Sequence, residues 1–333
     1  MDLPPPARVL LLARDMIGDL VNTSGAVYQL VTHFPTTQFV LEGGRPVLEL
    51  YNGFPRNLEV WTRDRHLGLG GKLKQTLRYR SGNFNWAISL DDSREKLRLA
   101  TSAGIRRVVG VTKKHGTIGN AEVLPFRREG HDLFDTLETV LKHLKVEPNV
   151  APRLFPSARD IRSMEGVALP SRAIGLHIDA SDLSKEWPSA RWIELGRDLV
   201  DHGFNPIVLS GPDEADARHE IAAKIGVPWI TQRLTLLEYA CLVQRLDTLI
   251  VADTGPAHIA AAMGTRTVVL YGPTDPRRFH PYGNRWTAIR KQTGCEHYGV
   301  GCIHRSEGYC SQSCMRAISA DDVRDALAAT MKR

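Results

Sequence analysis

LIVADTGPAHIAAAMGTRTVVLYGPTDPRRFHPY, Leu249 to Tyr282, is the stretch on which the fold turns. Leu249 to Val251 is a short apolar run of the kind that fills a buried parallel strand. Asp253-Thr254-Gly255-Pro256 then reads as a turn, Ala257 to Met263 as a helix stopped at Gly264, and Thr267 to Leu270 as a second strand. The first N–H groups of a helix lack internal partners and carry the positive end of its dipole, so this turn is suited to an anion, phosphate above all. Thr254 offers a hydroxyl, Gly255 a close backbone approach, and Pro256 has no N–H to leave unpaired. His258 falls near the helix start. The same pattern also fits an ordinary capped helix, with Asp253 or Thr254 as cap and His258 merely exposed.

Outward from this stretch, apolar runs alternate with helical patterns, the rhythm of parallel α/β architecture. In the first half the predicted strands are Val9–Leu12, Gln38–Leu41, Leu58–Trp61, Trp86–Leu90 and Arg107–Val111, with helices at Thr23–His33, Lys72–Tyr79, Arg94–Ser102 and Asp132–Leu144. Glu147 to Pro170 holds four prolines and little periodicity, and reads as a linker. The pattern restarts with a strand at Ala173–Ile178, and a last helix is predicted at Ala320–Lys332. Two restarting α/β halves predict two domains and a cleft between them. No strand ends in GxGxxG, which argues against a nicotinamide dehydrogenase.

The chain has 333 residues, 42% hydrophobic and 24% charged, an ordinary balance for a globular protein of two domains. No apolar run reaches the roughly 20 residues needed to cross a bilayer, and MDLPPPARVLLLARD has no basic leader, so the expected location is cytoplasmic. The net charge of +6 is uneven: Pro55 to His115 carries 14 Lys and Arg against 5 Asp and Glu. An acidic partner is expected, and no recognised nucleic-acid signature accompanies the charge.

DTGPAHIAAAMGTRTVVLYGPTDPRRFHPYG resembles the nucleotide-sugar-binding segment of the heptosyltransferases, glycosyltransferase family 9. ARDMIGDLVNTSGAVYQLVTHFP and SKEWPSARWIELGRDLVDHG carry the resemblance in family order, while residues 40 to 165 match only loosely. It implies an α/β fold of GT-B type, two Rossmann-like domains with parallel sheets facing across a central cleft. The expected divisions are an acceptor-binding domain over 1–155, a nucleotide-sugar-binding domain over 165–318, and a C-terminal helix, 319–333, packing back on the N-terminal domain. It implies inverting, metal-independent transfer of a heptose from ADP-heptose to an acidic inner-core glycolipid at the inner membrane surface. A protein hydroxyl or a small natural-product glycoside is the alternative acceptor, and a non-catalytic nucleotide-binding module the distant alternative.

Site residues follow from the resemblance position by position. Asp19 matches the aspartate of the Gly-Asp motif, the general base, with Asp15 as fallback. Lys185 matches the lysine that meets the donor phosphate, and Ser181 a hydroxyl position on the same loop. Asp213 or Glu214 resembles the carboxylate that grips the ribose. Thr254, Gly255 and His258 would cradle the phosphates, while Asp253 either orients the loop or meets the sugar hydroxyls. The basic stretch supplies Arg56, Arg63, Arg65, Lys72, Arg78 and Arg80 as candidates for the acceptor's carboxylates or phosphates. Asn22-Thr23-Ser24-Gly25 departs from the family's Thr-Leu-Pro or Thr-Thr-Pro wording, with Gly25 where a proline often stands. Asp91-Asp92 is an adjacent pair, read as the cap of the next helix. No cofactor is implied for catalysis. Cys295, Cys302, Cys310 and Cys314, with His297 and His304 among them, form a candidate structural zinc or iron site, against free thiols or a disulfide.

Overall fold

Runs of Val, Ile and Leu too short for helices become strands buried on both faces. The computed structural model describes residues 5–54, 57–63, 68–114, 116–126, 130–180, 182–209, 211, 215–294 and 311–332. It divides into two compact units, Met1–Phe155 and Pro156–Arg333.

The first unit runs β1 (Arg8–Leu12), α1 (Ile17–His33), β2 (Gln38–Gly43), α2 (Val47–Leu50), β3 (Leu58–Thr62), α3 (Leu69–Ser81), β4 (Trp86–Ser89), α4 (Arg94–Ser102), β5 (Arg107–Thr112), β6 (Ala121–Pro125) and α5 (Asp132–His143). Its described strands form one parallel sheet in the order β3-β2-β1-β4-β5-β6. Leu10 pairs with Val40 on one side and Ala87 on the other. The order reverses at β1 and β4, and in such sheets the ligand crevice opens at the carboxyl ends of the two strands flanking that reversal.

Helix α1 starts at Ile17, six residues before the predicted Thr23. Gly18, Val21, Thr23, Ser24 and Gly25 are weak helix formers, and burial of ten of its residues overrides their preference. Gly25 therefore lies inside a helix and not in a loop. A Cβ there would stand 2.3 Å from the Ala151 carbonyl oxygen and 2.6 Å from that of Val150, so only glycine lets that backbone lie against α1. Ser24 Oγ accepts from Arg153 N at 2.8 Å and holds the same segment.

The second unit runs α6 (Ala158–Glu165), β7 (Ala173–His177), α7 (Ser189–Asp201), β8 (Asn205–Leu209), α8 (Ala215–Ile225), α9 (Leu236–Gln244), β9 (Thr248–Ala252), α10 (Gly255–Ala262), β10 (Arg266–Tyr271), α11 (Pro276–Phe279), β11 (Trp286–Arg290), α12 (Ser313–Arg316) and α13 (Ala320–Met331). Its described strands form a parallel sheet, β11-β10-β9-β7-β8, whose order reverses at β7 and β9.

One expectation is corrected. The stretch taken for a bare linker contains α6, started by a reciprocal Ser157–Asp160 cap and packed on α9. Arg245 donates to the Met164 and Val167 carbonyls and ties α6 to this unit. The last helix, α13, packs on α7, β10 and β11 of its own unit. Val323 and Leu327 fall on one helical face and are buried with Trp192 and Leu195 in that unit's core.

Candidate active site

In the first unit, charged side chains collect at the carboxyl ends of β1, β4 and β5. The turn after β1 carries Arg14 and Asp15, and Asp19 occupies the first turn of α1. Arg14 Nη1 reaches Asp19 Oδ1 at 3.3 Å, and its Nη2 reaches Asp92 Oδ1 at 3.1 Å. Lys113 Nζ, beyond β5, lies 2.7 Å from Asp92 Oδ2 and 3.1 Å from Asp132 Oδ2. Asp19, Arg14, Asp92, Lys113 and Asp132 thus form one chain of alternating charge.

Burial works against the Arg14 cation, but Asp19, Asp92 and Asp91 outweigh it and hold its pKa above the usual value. Burial likewise opposes the Asp92 carboxylate, and the hydrogen bond from Lys113 with the charge of Arg14 reverses the balance, so its pKa lies below the ordinary range. Arg14, Asp92 and Lys113 were not among the site residues expected. The signal available was the position of each charge just past an apolar strand.

The Asp91-Asp92 pair is not the helix cap. Ser93 caps α4, and Asp91 Oδ1 accepts from Ser93 N at 3.0 Å and Ser89 Oγ at 2.9 Å. The other Asp91 oxygen pairs with the buried ammonium of Lys96, which also donates to the Ala13 carbonyl. Arg63, expected on the acceptor surface, is only 8% exposed. Its Nη2 binds both oxygens of Asp15, at 3.1 and 2.9 Å, and its Nε lies 3.9 Å from Glu42. An arginine so enclosed braces the loop after β1. A cavity of about 420 Å³ opens beside these groups, lined by Arg14, Asp15, Asp19, Arg63, Asp91 and Lys96 among others.

Three further acceptor candidates lie on α3. Lys72 pairs with Glu95 at 2.7 Å. Arg78 lies over the Trp61 ring and donates to the Thr62 carbonyl at 3.0 Å. Arg80 reaches the carbonyls of Ser102 and Ala103 at 3.3 and 3.4 Å. Arg56 and Arg65 lie outside the described residues.

In the second unit one carboxylate joins three strand ends. Lys185 ends a single 3-10 turn after β7. Its Nζ donates to the Asp253 carbonyl at 2.7 Å and to Asp253 Oδ2 at 2.8 Å. Thr274, after β10, donates to the same Oδ2 at 2.6 Å. Asp253 is 4% exposed, and its charge and burial together raise the Tyr271 hydroxyl well above its usual pKa, burial being the larger cause. Trp187 is buried edge-on against Trp192, with its indole donating to the Ile318 carbonyl at 3.0 Å, which fixes the chain just after Lys185.

Thr254 precedes α10 without capping it, since its hydroxyl points back to the Ala252 carbonyl at 3.2 Å. Thr254 makes no side-chain cap bond to the start of α10, a helix end whose dipole suits an anion. Gly255 and Pro256 open the helix, and His258 in its first turn is 8% exposed, more enclosed than the capped-helix alternative requires. Ser181, Asp213 and Glu214 lie outside the described residues, as do Cys295, Cys302, Cys310, His297 and His304. Among the described residues no three His, Cys, Asp or Glu side chains gather as a metal site. Cys314 packs in the core beside Met315, near Gly272, and Cys241 is buried in α9.

The chain is similar to known proteins along most of its length. The profile of glycosyltransferase family 9 (heptosyltransferase) matches residues 72–301. The lipopolysaccharide core heptosyltransferase OpsX of Haemophilus influenzae is 22% identical over 292 residues, 84% of this chain and 83% of that protein. The structure of Escherichia coli ADP-heptose lipopolysaccharide heptosyltransferase II superposes with a TM-score of 0.71 at 20% identity, covering 98% of each chain. That of TibC, an iron-containing dodecameric glycosyltransferase from enterotoxigenic E. coli, gives a TM-score of 0.62 at 14% identity, covering 100% of this chain and 78% of that one. The two parallel-sheet units have the GT-B architecture of these structures. With more than half of its residues matched by the profile, this chain belongs to glycosyltransferase family 9, the heptosyltransferases.

Proposed function

We propose that the protein transfers a heptose from ADP-heptose to a hydroxyl of an acidic inner-core lipopolysaccharide glycolipid, with inversion and without a metal. The observation that carries this reading is the pairing of Lys185 with Asp253 beside the uncapped start of α10. Asp253 holds the ammonium beside the turn where the positive end of the α10 dipole favours phosphate. Leaving ADP develops negative charge on its pyrophosphate, and fixed donors that meet this charge lower the barrier most.

The acceptor half of the reaction falls to Asp19. It takes the proton of the acceptor hydroxyl as that oxygen bonds the anomeric carbon and the bond from that carbon to ADP breaks. Arg14 orients the Asp19 carboxylate for this task. Asp253, with both Lys185 and Thr274 on one carboxylate oxygen, acts as the orienting group and not as a ligand of the sugar. The glycolipid acceptor and the ADP-heptose donor are supported by OpsX and heptosyltransferase II, whose names state lipopolysaccharide and ADP-heptose. The basic surface of α3 fits an acceptor bearing carboxylates or phosphates.

Calorimetric titration with ADP, UDP, GDP and CDP, followed by transfer assays with ADP-heptose, tests the reading. Selective binding of ADP and transfer to delipidated inner-core acceptor are expected. Preference for UDP or GDP overturns the donor, and transfer only to protein or to a small glycoside overturns the acceptor.

A further inference from the structure

Helix α3 presents a face that the core does not use. Leu69, Leu73 and Leu77 recur at four-residue intervals and are 89%, 63% and 52% exposed. At 3.6 residues per turn they lie along one stripe about 80° wide. The other side of the helix buries Gln75 and Tyr79, both hydrogen-bonded to Glu42, so the outward direction of the stripe is fixed from within. Single exposed leucines are ordinary on a protein surface, but three in register on one helix are not.

The charge on the same helix is of one sign. α3 contains Lys72, Lys74, Arg78 and Arg80 and no Asp or Glu. Glu95 pairs with Lys72, whereas Arg78 donates to the uncharged Thr62 carbonyl and Arg80 to those of Ser102 and Ala103. An apolar stripe flanked by Lys and Arg is the pattern of a helix lying in a membrane interface. Charge selects the occupant: two copies meeting through α3 would set like charges against each other, and a nucleic acid would meet the cations but leave the leucines in water.

We propose that α3 seats the protein on an anionic lipid surface, with Leu69, Leu73 and Leu77 at the boundary of headgroups and acyl chains and Lys74 and Arg80 against lipid phosphates. This goes beyond the acceptor reading and does not depend on it, because the helix chemistry alone selects the surface. Each basic residue close to an anionic leaflet strengthens binding roughly fivefold.

The test is co-sedimentation of the full chain with vesicles of phosphatidylcholine alone, or with roughly a third phosphatidylglycerol, in the absence of donor and acceptor. Binding to the anionic vesicles is expected to exceed that to neutral ones about tenfold and to weaken as salt is added. The combined variant Leu69→Gln, Leu73→Gln, Leu77→Gln keeps helix propensity and is expected to bind anionic vesicles about tenfold less. Unchanged ADP binding by this variant verifies its fold. As a second reading, the Trp emission of Leu73→Trp is expected to shift to the blue on adding anionic vesicles. Equal vesicle binding by wild type and triple variant, no binding by wild type, or an unshifted Trp emission would each overturn the proposal. So would a lipid-free oligomer of the wild type that the triple variant dissolves, which would make the stripe a protein interface. None of these readouts requires glycosyl transfer, so the docking surface and the catalytic reading fail separately.

Discussion

The two strand-order reversals are built from opposite materials. In the first unit the crevice is crowded with side-chain ions: Asp19, Arg14, Asp92, Lys113 and Asp132 in one chain, with Asp15–Arg63 and Asp91–Lys96 alongside. In the second unit the ion pair Lys185–Asp253 stands beside the start of α10, whose N-cap Thr254 makes no side-chain cap bond. The difference follows from what each is proposed to handle. A group that moves a proton must be a side chain whose ionisation neighbours can set, whereas a pyrophosphate is held well by fixed dipoles that never change charge.

The comparison breaks most visibly at Asp19. Asp19→Asn is expected to lower kcat about 10²- to 10⁴-fold with ADP affinity unchanged, the range lost with a general base. A loss smaller than tenfold in steady-state assays would move the base to Asp15. In the second unit, Lys185→Ala is expected to lower kcat about 10²- to 10³-fold, as removal of a charge-stabilising donor does. It also leaves the buried Asp253 carboxylate without its cation, at a cost of about 3 kcal/mol in denaturant unfolding. Lost turnover without lost stability would show that Asp253 is satisfied by other partners and that the pair is not the anchor proposed.

The first crevice also depends on how α1 is docked. Gly25→Ala is expected to destabilise the protein by about 2–3 kcal/mol, because the added methyl meets backbone that cannot step aside. A thermal midpoint within a degree of wild type would mean that residues 150–151 yield easily. The smallest effect concerns Asp92. Its folded pKa is depressed, so its contribution is fully present above the ordinary carboxylate value near ~4 and is lost as pH falls through its own lower value. Asp92→Asn should therefore be less stable than wild type at neutral pH, by about 1 kcal/mol given partial exposure, and the gap should close in acid. A gap independent of pH would assign the loss to packing and not to charge.

What the sequence made legible was what burial enforces. The strands at Val9, Gln38 and Leu249 read as uninterrupted apolar runs because both of their faces are covered. The turn at Asp253–Pro256 was legible because proline and glycine have few other uses there. The start of α1 was not, since its residues are poor helix formers held by tertiary contact. α6 was hidden among prolines because it buries only Met164. Arg63 reads as a surface cation in any local window, and only the arrival of Asp15 from the turn after β1 and Glu42 from β2 turns it inward. Asp92 likewise shows its role only when β1 and β5 bring Arg14 and Lys113 beside it.

An ammonium group has three N–H bonds, and Lys185 has two of them committed to Asp253. What remains is one N–H with its direction already chosen. Lys185 is in effect a pointer, a singly aimed donor on a flexible stem whose freedom has been removed by its neighbour. Arginine would carry the same charge to this position, but its planar fork cannot grip a carbonyl and a carboxylate of one residue and keep that single free direction.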